Sequence, residues 1–423
     1  MFTVTAYGSA TQIGSGLTSR LSAADSALNT LLLLASKVFK LRALIVCMLL
    51  QLSFSAFSQS PQVGGVAAAP DDWLLSRGQT WHYRTAVTAP PQALSTREPN
   101  EHEAPIVRRA REIFDASPAK ALLLMSGNEI IWAGFKAPAN ANSLLLSFSV
   151  GKTVTSMALG KALCMNKVSL QDRAAKYVPE LHGTHLGEVT VQQLLKMSSG
   201  TASINQDSSI YTSEQLQDLR AGRTSVLQVL KDPKINDADT GLFGIKRKPG
   251  EQFNYHSTDP LVLGVILNRT TGLNYAQWVE KEVLIPAGIQ NEVIIGQDHF
   301  GFGSADGNIR MRLEDWARFA YWVKRNESGA DCFSDYVKQA TKTQINNSGV
   351  KQGKSFGGYG YLIWTENNRQ SDSYWAVGHG GQRIAWNHKN SRVLIAFSNL
   401  ESYMDDLYSL YREWSGLSAA PPP

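Results

Sequence analysis

The 423-residue chain is short of cysteine, with three, and of charge, with 18% charged residues; its most apolar stretch is only twelve residues long. Each shortage narrows the reading. Three cysteines leave little room for thiol chemistry, and none is assigned any. The formal charge of +5 is small for the length and uneven: residues 1–58 hold Arg20, Lys37, Lys40 and Arg42 against Asp25 alone. Without them the chain is close to neutral, so the basic field that nucleic-acid binders carry is missing. No internal repeat is found. What is present is ordinary globular composition, 43% hydrophobic, in a chain long enough to bury a large core.

The N-terminus reads as targeting. "KVFKLR" (37–42) supplies a positive region, "ALIVCMLLQLSF" (43–54) an apolar run too short to span a bilayer comfortably, and "SAFSQ" (55–59) small residues at a cleavage site. A signal peptide over about 37–58 implies export to the periplasm or medium; an uncleaved 43–54 would act as a membrane tether. Residues 1–36 are an unusually long leader, which raises whether they are translated at all. Cys47 leaves with the signal. Cys164 and Cys332 then either pair, as export permits, or remain buried thiols.

Residues 59–75 read as a Pro/Gly/Ala linker and 415–423 as a frayed tail. Between them, 76–414 reads as one unit. "ALLLMSGNEIIWAGF" (121–135) predicts a hairpin around Gly127-Asn128. Helical spacing follows in 149–165, 190–200, 259–272, 274–284 and 312–325, and strand-like runs return at 358–366, 374–381, 382–390 and 391–400 before a final helix at 405–414. Strands at both ends predict one sheet, from about 76–148 and 350–414, with a mostly helical region, 149–349, inserted between.

Ser149-Val150-Gly151-Lys152 opens the first long apolar helix. Serine three residues before lysine also occurs at Ser117–Lys120 and Ser348–Lys351, so the spacing alone says little; the placement says more. At i and i+3 the two side chains share a helix face. Burial and the positive helix start both disfavour a charged amine, which suits Lys152 to act as base on a Ser149 nucleophile. The plain alternative is a capping serine beside a surface lysine. Gly151-Lys152-Thr153 imitates a phosphate-binding loop, but Leu146 stands where its first glycine is required.

Two further stretches join it. "NYHST" (254–258) places Tyr255 and Ser257 in a turn before an apolar helix, where a phenol could shuttle a proton or simply pack. "GHGGQ" (378–382) sits between strand-like runs. There Gly380 and Gly381 would allow close approach of a ligand. The Gln382 amide would pair with that of Ser149 as an oxyanion hole, and His379 would hold a substrate carboxylate or orient the tyrosine. Alone, it is equally a Gly-rich hairpin.

Together these motifs, with "VSLQDRAAKYVPEL" (168–181), "TVQQLLKMSSG" (190–200) and "KPGEQFNYHSTDPLVLG" (248–264), resemble serine β-lactamase-like hydrolases of the class C type. Within these, the branch holding 6-aminohexanoate-dimer hydrolases and related esterases is the most similar. The resemblance covers residues 115–400. It implies the β-lactamase/transpeptidase-like α/β (α+β) fold, an antiparallel sheet flanked by helices. It also implies a covalent acyl-enzyme on Ser149 with Lys152 as base, Tyr255 as proton shuttle and the Ser149 and Gln382 amides as oxyanion hole. Ser257, His379, Gly380 and Gly381 would touch substrate. Neither cofactor nor metal is implied; the partner is a small ester, amide or peptide. Penicillin-handling members usually carry Asn where Ser257 stands and Lys-Thr-Gly where His379-Gly380-Gly381 stands, which points away from efficient β-lactam hydrolysis. The alternatives are a D-Ala-D-Ala carboxypeptidase or weak β-lactamase, and a non-catalytic peptidoglycan-binding descendant. His182 and His185 have metal-like spacing without a third ligand. Tyr359, Tyr361 and Trp364 either line a cleft or pack in the sheet.

Overall fold

"RVLIAFS" is apolar almost throughout, a pattern suited to a strand covered on both faces. In the computed structural model, which describes residues 82–85, 94–202, 213–237, 247–347 and 353–417, this run is the middle of the main sheet. All described residues fall within the unit Ala69–Pro423; the leader, signal and linker expected over 1–75 lie outside them.

Along the chain come β1 (His82–Arg84), β2 (Ser95–Thr96), helix α1 (Ala104–Ala116), β3 (Ala119–Ser126), β4 (Glu129–Phe135), β5 (Leu145–Leu146) and helix α2 (Gly151–Cys164). Helix α3 (Thr258–Thr271), β6 (Ile294–Gly296), β7 (Ile309–Met311), α4 (Leu313–Glu327), α5 (Cys332–Ala340) and β8 (Ile345–Asn346) follow. The C-terminal part supplies β9 (Phe356–Tyr359), β10 (Trp364–Asn367), β11 (Gln370–Gly378), β12 (Gln382–Asn387), β13 (Arg392–Ser398) and α6 (Met404–Gly416).

The main sheet has nine strands in the order β2-β4-β3-β13-β12-β11-β10-β9-β8. It is antiparallel except for the β2–β4 pair. The expected hairpin is β3–β4, turning at Gly127 with φ 59°. Strands β3 and β13 pair from Arg392↔Ser126 to Ser398↔Ala119, so the two chain ends meet at the centre. Every residue of β13 is buried. One face meets α4, where Trp316 packs on Phe397. The other meets α6, where the Arg392 guanidinium lies 4.4 Å over the Trp414 ring. The chain is thus a mixed α/β protein with an antiparallel-dominated sheet made from both chain ends and helices between them.

The region 149–349, expected to be mostly helical, also supplies β6 and β7, which join β1 and β5 in a small sheet ordered β1-β6-β7-β5. Two expectations change. The run 358–366 is two strands: Leu362 has φ 56°, and the chain reverses where Tyr361 and Leu362 give their N–H groups to Ala340 and Leu195. Helix α6 reaches Gly416, two residues into the expected tail, since Ser415 is buried and its carbonyl accepts from Asn390.

Helix α2 is buried on nearly all sides, as its small and apolar residues predict. A Cβ on Gly160 would sit 2.3 Å from the Tyr336 ring, so only glycine admits α5 this closely. Cys164, at the end of α2, is disulfide-bonded to Cys332 at the start of α5. The pairing left open by the sequence is therefore present.

Candidate active site

Ser149 lies in a single 3-10 turn, Phe148–Val150, that runs straight into α2. Three neighbours fix that turn. Strand β5 pairs with β7, and beyond it Ser147 N–H donates to the Ile309 carbonyl at 2.8 Å while Ser147 Oγ accepts from Ile309 N–H at 3.0 Å. Gly151 packs on Gly307, where a Cβ would approach within 2.9 Å. Phe148 takes the left-handed φ of 43°, a strained conformation for a bulky residue. The strain is held by the contacts on either side, and the Phe148 ring meets His379 edge-on at 5.5 Å.

Lys152, one turn later, is 2% exposed. Its Nζ donates to Ser149 Oγ at 2.9 Å and to the Asp306 carbonyl at 2.8 Å. Both acceptors are neutral; among the described residues no carboxylate forms an ion pair with it. The loop carrying Asp306 is itself locked onto α2: Thr155 Oγ1 donates to the Ala305 carbonyl and meets Tyr275 Oη at 2.7 Å.

The Tyr255 ring lies 5.1 Å from Lys152 Nζ. It is braced by Trp364 at 5.0 Å and Tyr359 at 6.1 Å. Tyr359, Tyr361 and Trp364 are all buried, so packing accounts for them, and Tyr361 accepts from Gln192 away from the tyrosine motif. Beneath Tyr255 lies a buried pair. His256 Nε2 is 3.6 Å from Asp259 Oδ1 and 3.5 Å from Ser199 Oγ, and Asp259 Oδ2 accepts the Ser199 N–H at 3.3 Å. Burial, then the charges of Lys152 and Arg247, hold His256 down to about 3. Burial pushes Asp259 up to about 8, against the Ser199 hydrogen bonds. Burial thus favours the neutral form of both groups.

The late motif takes the hairpin form that the sequence left open: His379, Gly380 and Gly381 form the turn joining β11 to β12. Gly380 and Gly381 have φ 78° and 98°, and a Cβ on Gly381 would meet the Leu400 carbonyl at 2.9 Å. The space beside Gly381 is filled by the chain itself, so a side chain there has no room. His379 is exposed. Ser257, expected to touch substrate, is buried as the N-cap residue of α3. Gln382 pairs with Gly378, whose Cβ position lies 2.4 Å from the Ser147 carbonyl, so this hairpin end abuts the nucleophile turn. His182 and His185 form no shared site: His185 bonds the Ser199 carbonyl at 2.7 Å and His182 is exposed.

The structure thus brings the Ser149, Lys152, Tyr255 and 378–382 stretches together. The residues that sequence reasoning missed are Ser147, Asp306 and Gly307. The one signal for the last two is the turn-like "SADGN" at 304–308.

A serine bonded to a buried lysine at the head of a helix, abutted by a hairpin end of an antiparallel sheet, defines a serine hydrolase of the β-lactamase/transpeptidase fold. The chain belongs to the Beta-lactamase family, whose pattern matches residues 108–416. It is 25% identical over 269 residues, 60% of this chain and 67% of the relative, to the 6-aminohexanoate-dimer hydrolase of Paenarthrobacter ureafaciens. It spans about half the length, or less, of further curated relatives. Among solved structures it superposes on a D-stereospecific amidohydrolase from Streptomyces sp. (TM-score 0.57, 16% identity, 75% of this chain and 100% of that one). A second is EstCE1, a hydrolase with promiscuous acyltransferase activity (TM-score 0.59, 15% identity, 74% and 100%). These two likenesses show the fold. The expected enzyme class and fold are thereby borne out.

Proposed function

We propose that the protein cleaves a small ester or amide through an acyl-enzyme on Ser149. The observation that carries this is the 2.9 Å contact between Lys152 Nζ and Ser149 Oγ, with the amine's other acceptor a backbone carbonyl. Lys152 takes the hydroxyl proton as Oγ bonds to the substrate carbonyl carbon. The tetrahedral oxyanion is held by the Ser149 and Gln382 amides, each contributing about 10²–10³ in rate. The proton passes through Tyr255 to the leaving alcohol or amine as the acyl–heteroatom bond breaks. Water then adds to the acyl-enzyme, returning a proton to Ser149 and releasing the acid.

Ser257 and His379, which replace residues usual in penicillin-handling members, favour esters and amides over β-lactams. The Ser149–Lys152 contact favours catalysis over a binding-only role. A signal peptide at about 37–58 and the Cys164–Cys332 disulfide together support export to the periplasm or medium, since such bonds persist in oxidising compartments.

A fluorophosphonate probe should add one mass label at Ser149, and Ser149→Ala should abolish both the label and turnover of p-nitrophenyl esters. Undiminished activity in that variant would end this reading. A panel of p-nitrophenyl esters, aminohexanoate dimer, nitrocefin and D-Ala-D-Ala peptides then ranks the substrate classes.

A further inference from the structure

We propose that Arg383 is a positioning residue for the oxyanion hole, setting the direction of the Gln382 amide; this rests on the acyl-enzyme reading above. The amide belongs to a turn that is poorly stiffened by its own residues. Two of its three members, Gly380 and Gly381, have no side chain and sit in left-handed conformations, where glycine is the least constrained residue. An oxyanion donor must nonetheless be fixed before the reaction, because reorganising it during the reaction forfeits its benefit.

Arg383 supplies what the turn lacks. Its Nη1 donates to the Gly378 carbonyl at 2.7 Å and to the Gln382 carbonyl at 2.9 Å, the two residues that bracket the turn. The guanidinium is anchored in turn to Tyr408 Oη on α6 at 3.4 Å and to Glu401 at 3.5 Å. From the other side, Gln382 Nε2 ties to the His379 and Ser398 carbonyls at 2.6 and 2.8 Å. Gly378 presses on Ser147, so the same clamp registers the hairpin against the turn bearing the other oxyanion amide, that of Ser149.

A stabilising role explains Arg383 less well. It is buried, its carboxylate partner Glu401 is half-exposed and 3.5 Å away, and the hydrogen bonds that offset the cost of desolvating the cation include the two carbonyls that bracket the turn. A hydrophobic residue would fill the seam between β12 and α6 without that cost. Only a planar fork reaches both carbonyls and Tyr408 at once, which a lysine cannot do.

The test uses Arg383→Lys and Arg383→Met in the full chain, followed by kcat and KM on a p-nitrophenyl ester, binding of a boronic acid that mimics the tetrahedral adduct, and thermal melting. Both variants should lose about 10- to 100-fold in kcat with KM within about threefold. Boronate affinity should fall by the same factor, and Arg383→Lys should melt near the wild type. Wild-type kcat and boronate affinity in Arg383→Lys would overturn the proposal. So would loss of activity only in proportion to loss of folded protein in both variants, which makes Arg383 structural. Failure of the underlying reading looks different: wild-type protein would then carry no fluorophosphonate label on Ser149.

Discussion

Glu103 and Asp259 are both buried carboxylates, and the protein treats them in opposite ways. Glu103 stands where the N-terminal segment meets the main sheet. Arg97 holds it with two hydrogen bonds of 2.6 and 3.0 Å, Arg392 with one of 2.9 Å and the Asn100 N–H with one of 3.1 Å. Burial alone would raise its pKa, but these donors overwhelm burial and hold it down to about 2. Asp259 forms no ion pair with a Lys or Arg among the described residues; its neighbour is His256 at 3.6 Å, and burial wins. Charge is compensated where the scaffold is built and left uncompensated beside the reacting groups. Lys152 meets two neutral acceptors, Ser149 Oγ and the Asp306 carbonyl. Sites that move protons need groups free to change state; scaffold seams do not.

Removing Glu103 should break this contrast most severely. Glu103→Ala strands Arg97 and Arg392, and should cost about 3–5 kcal/mol in urea unfolding at pH 7. The linkage has a definite sign. A carboxylate with a lowered folded-state pKa stabilises above its unfolded value of 4.5, and this is lost as pH falls from there through about 2. The variant should therefore show a flatter stability profile across that acid interval.

Asp259→Asn sharpens the contrast from the other side. With its folded-state pKa raised from 3.8 to about 8, Asp259 binds protons more tightly in the native state, so its contribution declines as pH rises between those values. His256, lowered from 6.5 to about 3, contributes an opposing rise between about 3 and 6.5. Above pH 6.5 only the Asp259 decline remains. Asp259→Asn should remove that decline and add about 1–3 kcal/mol at pH 8, read as a melting curve at pH 6.5 and 8. An undiminished decline would show that some other group titrates there.

The smallest effect concerns Phe148. Phe148→Gly relieves the left-handed strain at the nucleophile turn but frees the unfolded chain, so stability should change by about 1 kcal/mol or less. Ester turnover should nevertheless fall, because His379 loses its edge-on partner and Ser149 its rigid approach. Unchanged kcat would mean that the strained conformation does nothing for Ser149.

The legible parts of the molecule were those written in local pattern. Gly127-Asn128 marks the β3–β4 hairpin, and the apolar runs at 151–164, 258–271 and 392–398 are elements within a residue or two. The order of the Ser149, Tyr255 and His379 motifs identified the hydrolase class. What escaped was nonlocal. The reversal at Leu362 hides in the uniformly apolar "YLIW" because its stabilising hydrogen bonds come from Leu195 and Ala340. Strands β1, β5, β6 and β7 have two or three residues each and come from distant stretches, so no periodicity announces them. The Asp306 carbonyl that holds Lys152 has no side-chain signature at all. Both cysteines could be read, but their pairing depends on how α2 packs against α5.

The place of β13 at the centre of the sheet has a consequence for how the chain is made. Its partner β3 lies roughly 270 residues earlier, as in the Leu124↔Leu394 pair. At about 5–20 residues per second, β3 leaves the ribosome about a quarter of a minute to a minute before the strand that completes it. Throughout that interval one edge of β3 is unpaired, and closing so long a loop must precede any gain from pairing. The sheet therefore closes only after β13 has emerged. A nascent chain of this topology stays threadable until then, and any product that stops short of Ser398 lacks part of the strand that pairs with β3.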